Sequence, residues 1–254
     1  VLRSVNVVQN DGNMSVAGRV EASVNNTGAT VLAGGTVTGA FANTATGRMT
    51  GTGTIDNTLT NAGVASIGGR VTGLVTNQLN GTLEVAGGGT LQVDTGIQNA
   101  GRVNILGTLE GGLVNNNTTT LGADGVVTGT LTNNANLSGN GDIATLVNAG
   151  TATIGGRVDT LTNTGTLSSS GQLSVGALTN DELVRITTGS TLSVDGRLLN
   201  RDRLAVGGTL NGTLDNHATT VMVGGRIAGT VLNAAGGTFS GTGSVDGTLT
   251  NSGT

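Results

Sequence analysis

The sequence predicts an all-β protein: a single parallel β-helix of about 14–15 coils, each of roughly 15–22 residues and two or three short strands. Three observations carry that expectation. An asparagine returns fifteen times at a near-regular interval, a large apolar residue stands two places before it every time, and glycine, with 47 residues, punctuates the intervals.

The asparagines are Asn10, Asn26, Asn43, Asn61, Asn77, Asn99, Asn115, Asn133, Asn148, Asn163, Asn180, Asn200, Asn216, Asn233 and Asn251. Two residues before them stand Val8, Val24, Phe41, Leu59, Val75, Ile97, Leu113, Leu131, Leu146, Leu161, Leu178, Leu198, Leu214, Val231 and Leu249. One residue before the asparagine only four of fifteen positions are large and apolar. Six residues after it twelve of fourteen are apolar, and six before it eleven of fifteen. Offsets of −6, −2 and +6 share parity, which is the period of a strand that turns one face inward. Helix is disfavoured, because Gly, Asn and Thr all oppose it and no stripe at 3.6-residue spacing survives the glycines.

Turns are expected where glycines pair, as at Gly34-Gly35, Gly68-Gly69, Gly155-Gly156 and Gly224-Gly225. Glycine accepts the positive φ of a tight corner without a Cβ clash. A unit of about 17 residues cannot bury a core alone, so the copies must stack, each strand pairing with its equivalents above and below. Fourteen intervals at a strand spacing of ~4.8 Å give a rod of roughly 65–70 Å. A sandwich would want hairpins, and the four Asp-Gly pairs that could supply them stand at differing offsets. Residues 1–254 therefore read as one continuous repeat segment. The asparagine shares the inward parity at a corner, where its amide can bond backbone and the asparagine of the next coil. The predicted role of that column is a structural ladder.

Composition narrows the function. Aromatic residues reduce to Phe41 and Phe239, so the interior must be filled by aliphatic side chains. All eleven cationic side chains are Arg and the net charge is −4, too weak a field to imply nucleic acid or an anionic membrane surface. Hydrophobic residues at 35 % argue against disorder. The absence of Cys excludes a disulfide framework, a thiolate metal site and a Cys nucleophile. No apolar run reaches a membrane span. Val1 opens no signal peptide, and the chain reads as an excerpt of a longer protein.

Charged residues are scattered except over 181–203. In the repeat register Asp181, Arg201 and His217 each follow an anchor asparagine in three successive coils, and Glu182 lies beside Asp202, with Arg203 next to it. A carboxylate pair near an imidazole is one reading of this patch, and a solvated ion-pair ladder is the other. His217 is the only His, so a His-based metal cage is impossible. The run Gly139-Asn140-Gly141-Asp142-Ile143-Ala144 matches a loose dinucleotide pattern, but no helix follows it. No cofactor, metal or catalytic residue is expected. Thr-Leu-Thr at 58–60, 130–132, 160–162 and 248–250 sets outward Thr around inward Leu, but the array is broken by Gly112, Val114, Arg197 and Asp215.

The phrases "LSGNGDIATLVNAGTATIGG" (137–156) and "FSGTGSVDGTLTNSGT" (239–254) resemble passenger domains of bacterial autotransporters and filamentous secreted adhesins. That resemblance implies a right-handed parallel β-helix exported to the cell surface. Coils near 17 residues are shorter than in many passengers and nearer those of bactofilins, a cytoskeletal β-helix family. The expected function is a structural or adhesive rod on a bacterial surface, with surface glycans or proteins, or end-to-end copies of itself, as partners. The alternatives are a self-assembling filament or scaffold, and a carbohydrate-active β-helix using the 181–203 patch.

Overall fold

A computed structural model describes residues 1–254, and it is all-β without a helix. Parallel strands stack as coils of a β-solenoid of about 15 turns. The chain divides into two compact units, Val1–Leu131 and Thr132–Thr254.

In the first unit the strands Val8–Asn10, Val24–Asn26, Phe41–Asn43, Leu59–Asn61, Val75–Asn77, Ile97–Asn99 and Leu113–Asn115 pair in sequence, asparagine against asparagine. A second ladder follows the asparagine corner, in the order Asn13, Ala29, Arg48, Val64, Thr82, Arg102 and Thr118. After Asn43 and Asn77 the corner is two residues longer, so Met49 and Leu83, six past their anchors, pair with Thr30 and Ala65, four past theirs. An insertion of two preserves strand parity, which is why both side chains still point inward and are fully buried.

The second unit repeats the plan. Leu161 pairs with Leu146 and Leu178, and Asn163 with Asn148 and Asn180. Strands here run on through corners that the sequence marks as turns. Thr151–Asn163 spans 13 residues and Thr166–Asn180 spans 15. The glycine pairs act as bulges inside such strands, with the register slipping between Ile154 and Gly156 and between Val223 and Gly225. Gly156 has φ 76°, a conformation that a side-chain-bearing residue would adopt only with strain. One inward column also departs from simple parity. Ile143, Val158 and Val175 fill it at five residues before their anchors rather than six, and they pair with one another. The slip falls at the corner, so neither flanking strand turns its apolar face outward.

Thirteen of the fifteen apolar residues before the anchor are buried; Val8 is half-buried and Leu249 is 47 % exposed. Each full burial of a Leu, Ile or Val is worth about 1.5–3 kcal/mol. Phe41 is the one fully buried aromatic among them. No helix is long and apolar enough to cross a membrane.

Candidate functional site

Two clusters of polar side chains carry what chemistry the sequence singles out. The first is the asparagine column. Asn10 through Asn233 are all buried, and along the column Nδ2 donates to the Oδ1 of the next coil's asparagine. In the first unit Asn10, Asn26, Asn43, Asn61 and Asn77 donate in this way to Asn26, Asn43, Asn61, Asn77 and Asn99 at 2.7–2.8 Å. In the second unit the same chain runs from Asn133 to Asn251 at 2.6–2.8 Å. The remaining amide hydrogen reaches corner carbonyls, as Asn163 does to Gly165 and Leu183 at 2.9 and 3.0 Å. All these donors point the same way along the coils, so every amide is both donor and acceptor and the corner carbonyls are satisfied without water. A glycine beside the ladder has a steric cause: a Cβ on Gly47 would collide with Asn43 Oδ1 and the Asn26 carbonyl. The column is a ladder that ties each coil to the next.

The second cluster is the charged patch in the second unit. Asp181, Glu182, Arg201, Asp202, Arg203 and His217 are all exposed. Stacking in the column after the anchor is as the register implies, since the Arg201 amide donates to the Asn180 carbonyl and the His217 amide to the Asn200 carbonyl. Arg201 Nη1 lies 3.5 Å from Asp181 Oδ1, a loose and solvated pair. The imidazole does not join Glu182 and Asp202. It turns instead to Asp215 in its own coil, with Nε2 3.1 Å from Oδ1.

Asp215 is the residue that sequence reasoning missed as a centre. It is the one buried carboxylate of the chain, with its side chain 10 % exposed, and it accepts a 2.7 Å hydrogen bond from Arg197 Nη1 on its other oxygen. The cause is in its ladder: Asp215 pairs with Leu199 on one side and Leu232 on the other, so aliphatic side chains cover it. A carboxylate so covered needs partners, and Arg197 and His217 occupy both of its oxygens. The signal was available in the sequence. The column one before the anchor holds Leu in both adjacent coils, while Arg197 stands two before Leu199 in the preceding coil and His217 two after Asp215 in its own.

Hydrolysis of a glycoside by two carboxylates needs one on each side of the scissile bond. The buried carboxylate, Asp215, is already bonded at both oxygens by a guanidinium and an imidazole half in solvent, and Asp181 is paired with Arg201. That arrangement anchors side chains across neighbouring coils. No group of three or more His, Cys, Asp and Glu side chains comes together as a metal site would require. No family model, curated protein or solved structure matches the chain.

Proposed function

We propose that this β-solenoid is a non-catalytic structural and adhesive segment displayed on the outside of a bacterial cell. One observation carries the reading. The polar groups that could do chemistry are spent inward on two asparagine ladders, while the outward columns present a repetitive, weakly charged surface rich in hydroxyl groups. Repetition of one coil gives reach and a regular contact surface. The resemblance to autotransporter passengers and filamentous adhesins supports the compartment.

The test of display is antibody labelling of the source cells with serum raised against this chain. Intact cells should label as strongly as permeabilised ones; labelling only after permeabilisation would place the chain inside and favour a scaffold. The carbohydrate-active alternative has its own test, a panel of polysaccharides incubated with the protein and with the Asp215→Asn and Asp202→Asn variants. No turnover is expected, and turnover that either variant abolishes would replace the structural reading.

A further inference from the structure

Seven of the eleven arginines have a carboxylate partner: Arg3, Arg19, Arg70, Arg157, Arg197, Arg201 and Arg226. The other four, Arg48, Arg102, Arg185 and Arg203, have no carboxylate oxygen within ion-pair distance. Their placement is not scattered. All four stand on the outward side of the strand that follows the asparagine corner, where Arg48 pairs with Ala29 and Val64, Arg102 with Thr82 and Thr118, Arg185 with Ser168, and Arg203 with Leu183 and Thr219.

The rest of that surface is unlike a general acidic exterior. In the first unit its outward residues include Thr50, Ser66, Thr82, Asn104, Thr118 and Thr120, and its single carboxylate, Glu84, is occupied by a 2.8 Å bond from Ser66 Oγ. In the first unit Glu84 is the one carboxylate of this column, which otherwise sets the guanidinium groups of Arg48 and Arg102 among hydroxyls; in the second unit Glu182 and Asp202 stand at the corner directly beside Arg203. Beside Arg102 the surface also dips into a hollow of about 210 Å³, lined by Leu79, Asn80, Thr82, Arg102, Asn117 and Thr118 and by no acidic residue. Leu79, 70 % exposed, stands at its rim, and the lining itself is mainly polar.

The larger concavity of the first unit does not share these properties. It measures about 440 Å³, and its guanidinium, Arg70, is held by Asp94 at 2.5 and 3.2 Å. Hydrogen bonding from Arg70 keeps the Asp94 carboxyl below the ordinary carboxylate range, so that pair is already neutralised.

From this segregation we infer that the outward face after the asparagine corner of the first unit binds an acidic polysaccharide, with uronate carboxylates on Arg102 and Arg48. Guanidinium takes a carboxylate in a planar, two-bond geometry, and the neighbouring Thr, Ser and Asn groups suit sugar hydroxyls. Neutral sugars are held largely by aromatic faces, and this surface has none, so charge must carry the recognition. Nucleic acid is disfavoured by the same lack of stacking rings. A single exposed arginine–carboxylate contact is weak. Arg48 and Arg102 lie three strand intervals apart, roughly 14 Å at the parallel spacing. A polymer can therefore occupy both, and the second contact forms at high effective concentration. The inference rests on the adhesive reading for its partner class, while the binding assay succeeds or fails independently of where the chain is displayed.

The experiment is binding of the full chain to immobilised polygalacturonate, with neutral dextran and duplex DNA as comparison surfaces. Polygalacturonate should bind in a salt-sensitive way, free galacturonic acid should compete poorly, and dextran should not bind. The Arg48→Gln/Arg102→Gln variant should lose about tenfold or more in affinity at unchanged thermal stability, whereas Arg157→Gln, whose cation is already paired, should bind as the parent does. No binding to polygalacturonate, equal loss in Arg157→Gln, equal binding to dextran, or tighter binding to DNA through the same arginines would each overturn the assignment.

Discussion

Thr119 shows how closely the interior is specified at single positions. Thr30 and Thr220 occupy the same inward place after their anchors, and each donates its hydroxyl to the anchor's Oδ1 at 2.9 Å. Thr119 is equally buried, yet its Oγ1 has no hydrogen-bond partner. A buried hydroxyl without a partner costs about 1–3 kcal/mol. Thr119→Val, nearly the same shape without the polar atom, should therefore raise stability by about 1 kcal/mol, read as a shifted denaturant midpoint at unchanged slope. Loss of stability would mean that the hydroxyl has a partner after all. The opposite sign holds at Asn163, which accepts from Asn148 and donates to Asn180, Gly165 and Leu183. Asn163→Ala strands several buried groups and should cost about 2–5 kcal/mol, while Thr162→Ala on the outward side of the same strand should stay within about 0.5 kcal/mol.

Elements are held by parity more than by propensity. Leu161 sits fully inward between Leu146 and Leu178. Leu161→Asp would place an unpaired charge among them, and solenoid stability is a sum of neighbour terms. Hydrogen exchange should therefore quicken in the coils of Asn148, Asn163 and Asn180 and leave the coil of Asn216 as protected as before. Uniform loss of protection through the second unit would instead indicate one cooperative block. Period-two patterning made the anchor column and its apolar partner legible in the sequence, because both lie in the straight part of the strand. The inward column at Ile143, Val158 and Val175 was not legible at fixed offset, since a corner can drop one residue without disturbing the strands it joins. Glycine pairs were read as turns. Those at 34–35, 155–156 and 224–225 are bulges within longer strands, where the parallel ladder continues on both sides, and Gly68-Gly69 lies within Val64–Val71 in unbroken register with Arg48–Ile55.

At the scale of the molecule, the fold class follows from copies that cannot bury a core unless they stack. The asparagine ladder was legible for the same reason: a polar residue recurring at inward parity has to bond its own kind. The charged patch was only half legible. Exposed pairs such as Arg201 and Asp181 follow from register, but the burial of Asp215 depends on Leu199 and Leu232 in adjacent coils, a contact between residues far apart in sequence. The central claim is coil-on-coil stacking in this register, and the lack of native Cys makes disulfide trapping a clean probe of it. Thr162 and Thr179 are direct partners on the outward face, and Leu199 is the next partner after Thr179. A disulfide needs Cα atoms within about 7 Å, and two parallel strand intervals span roughly 10 Å. Thr162→Cys/Thr179→Cys should crosslink under mild oxidation with the fold intact, and Thr162→Cys/Leu199→Cys should stay reduced. Crosslinking of the second pair but not the first would contradict the stacked register.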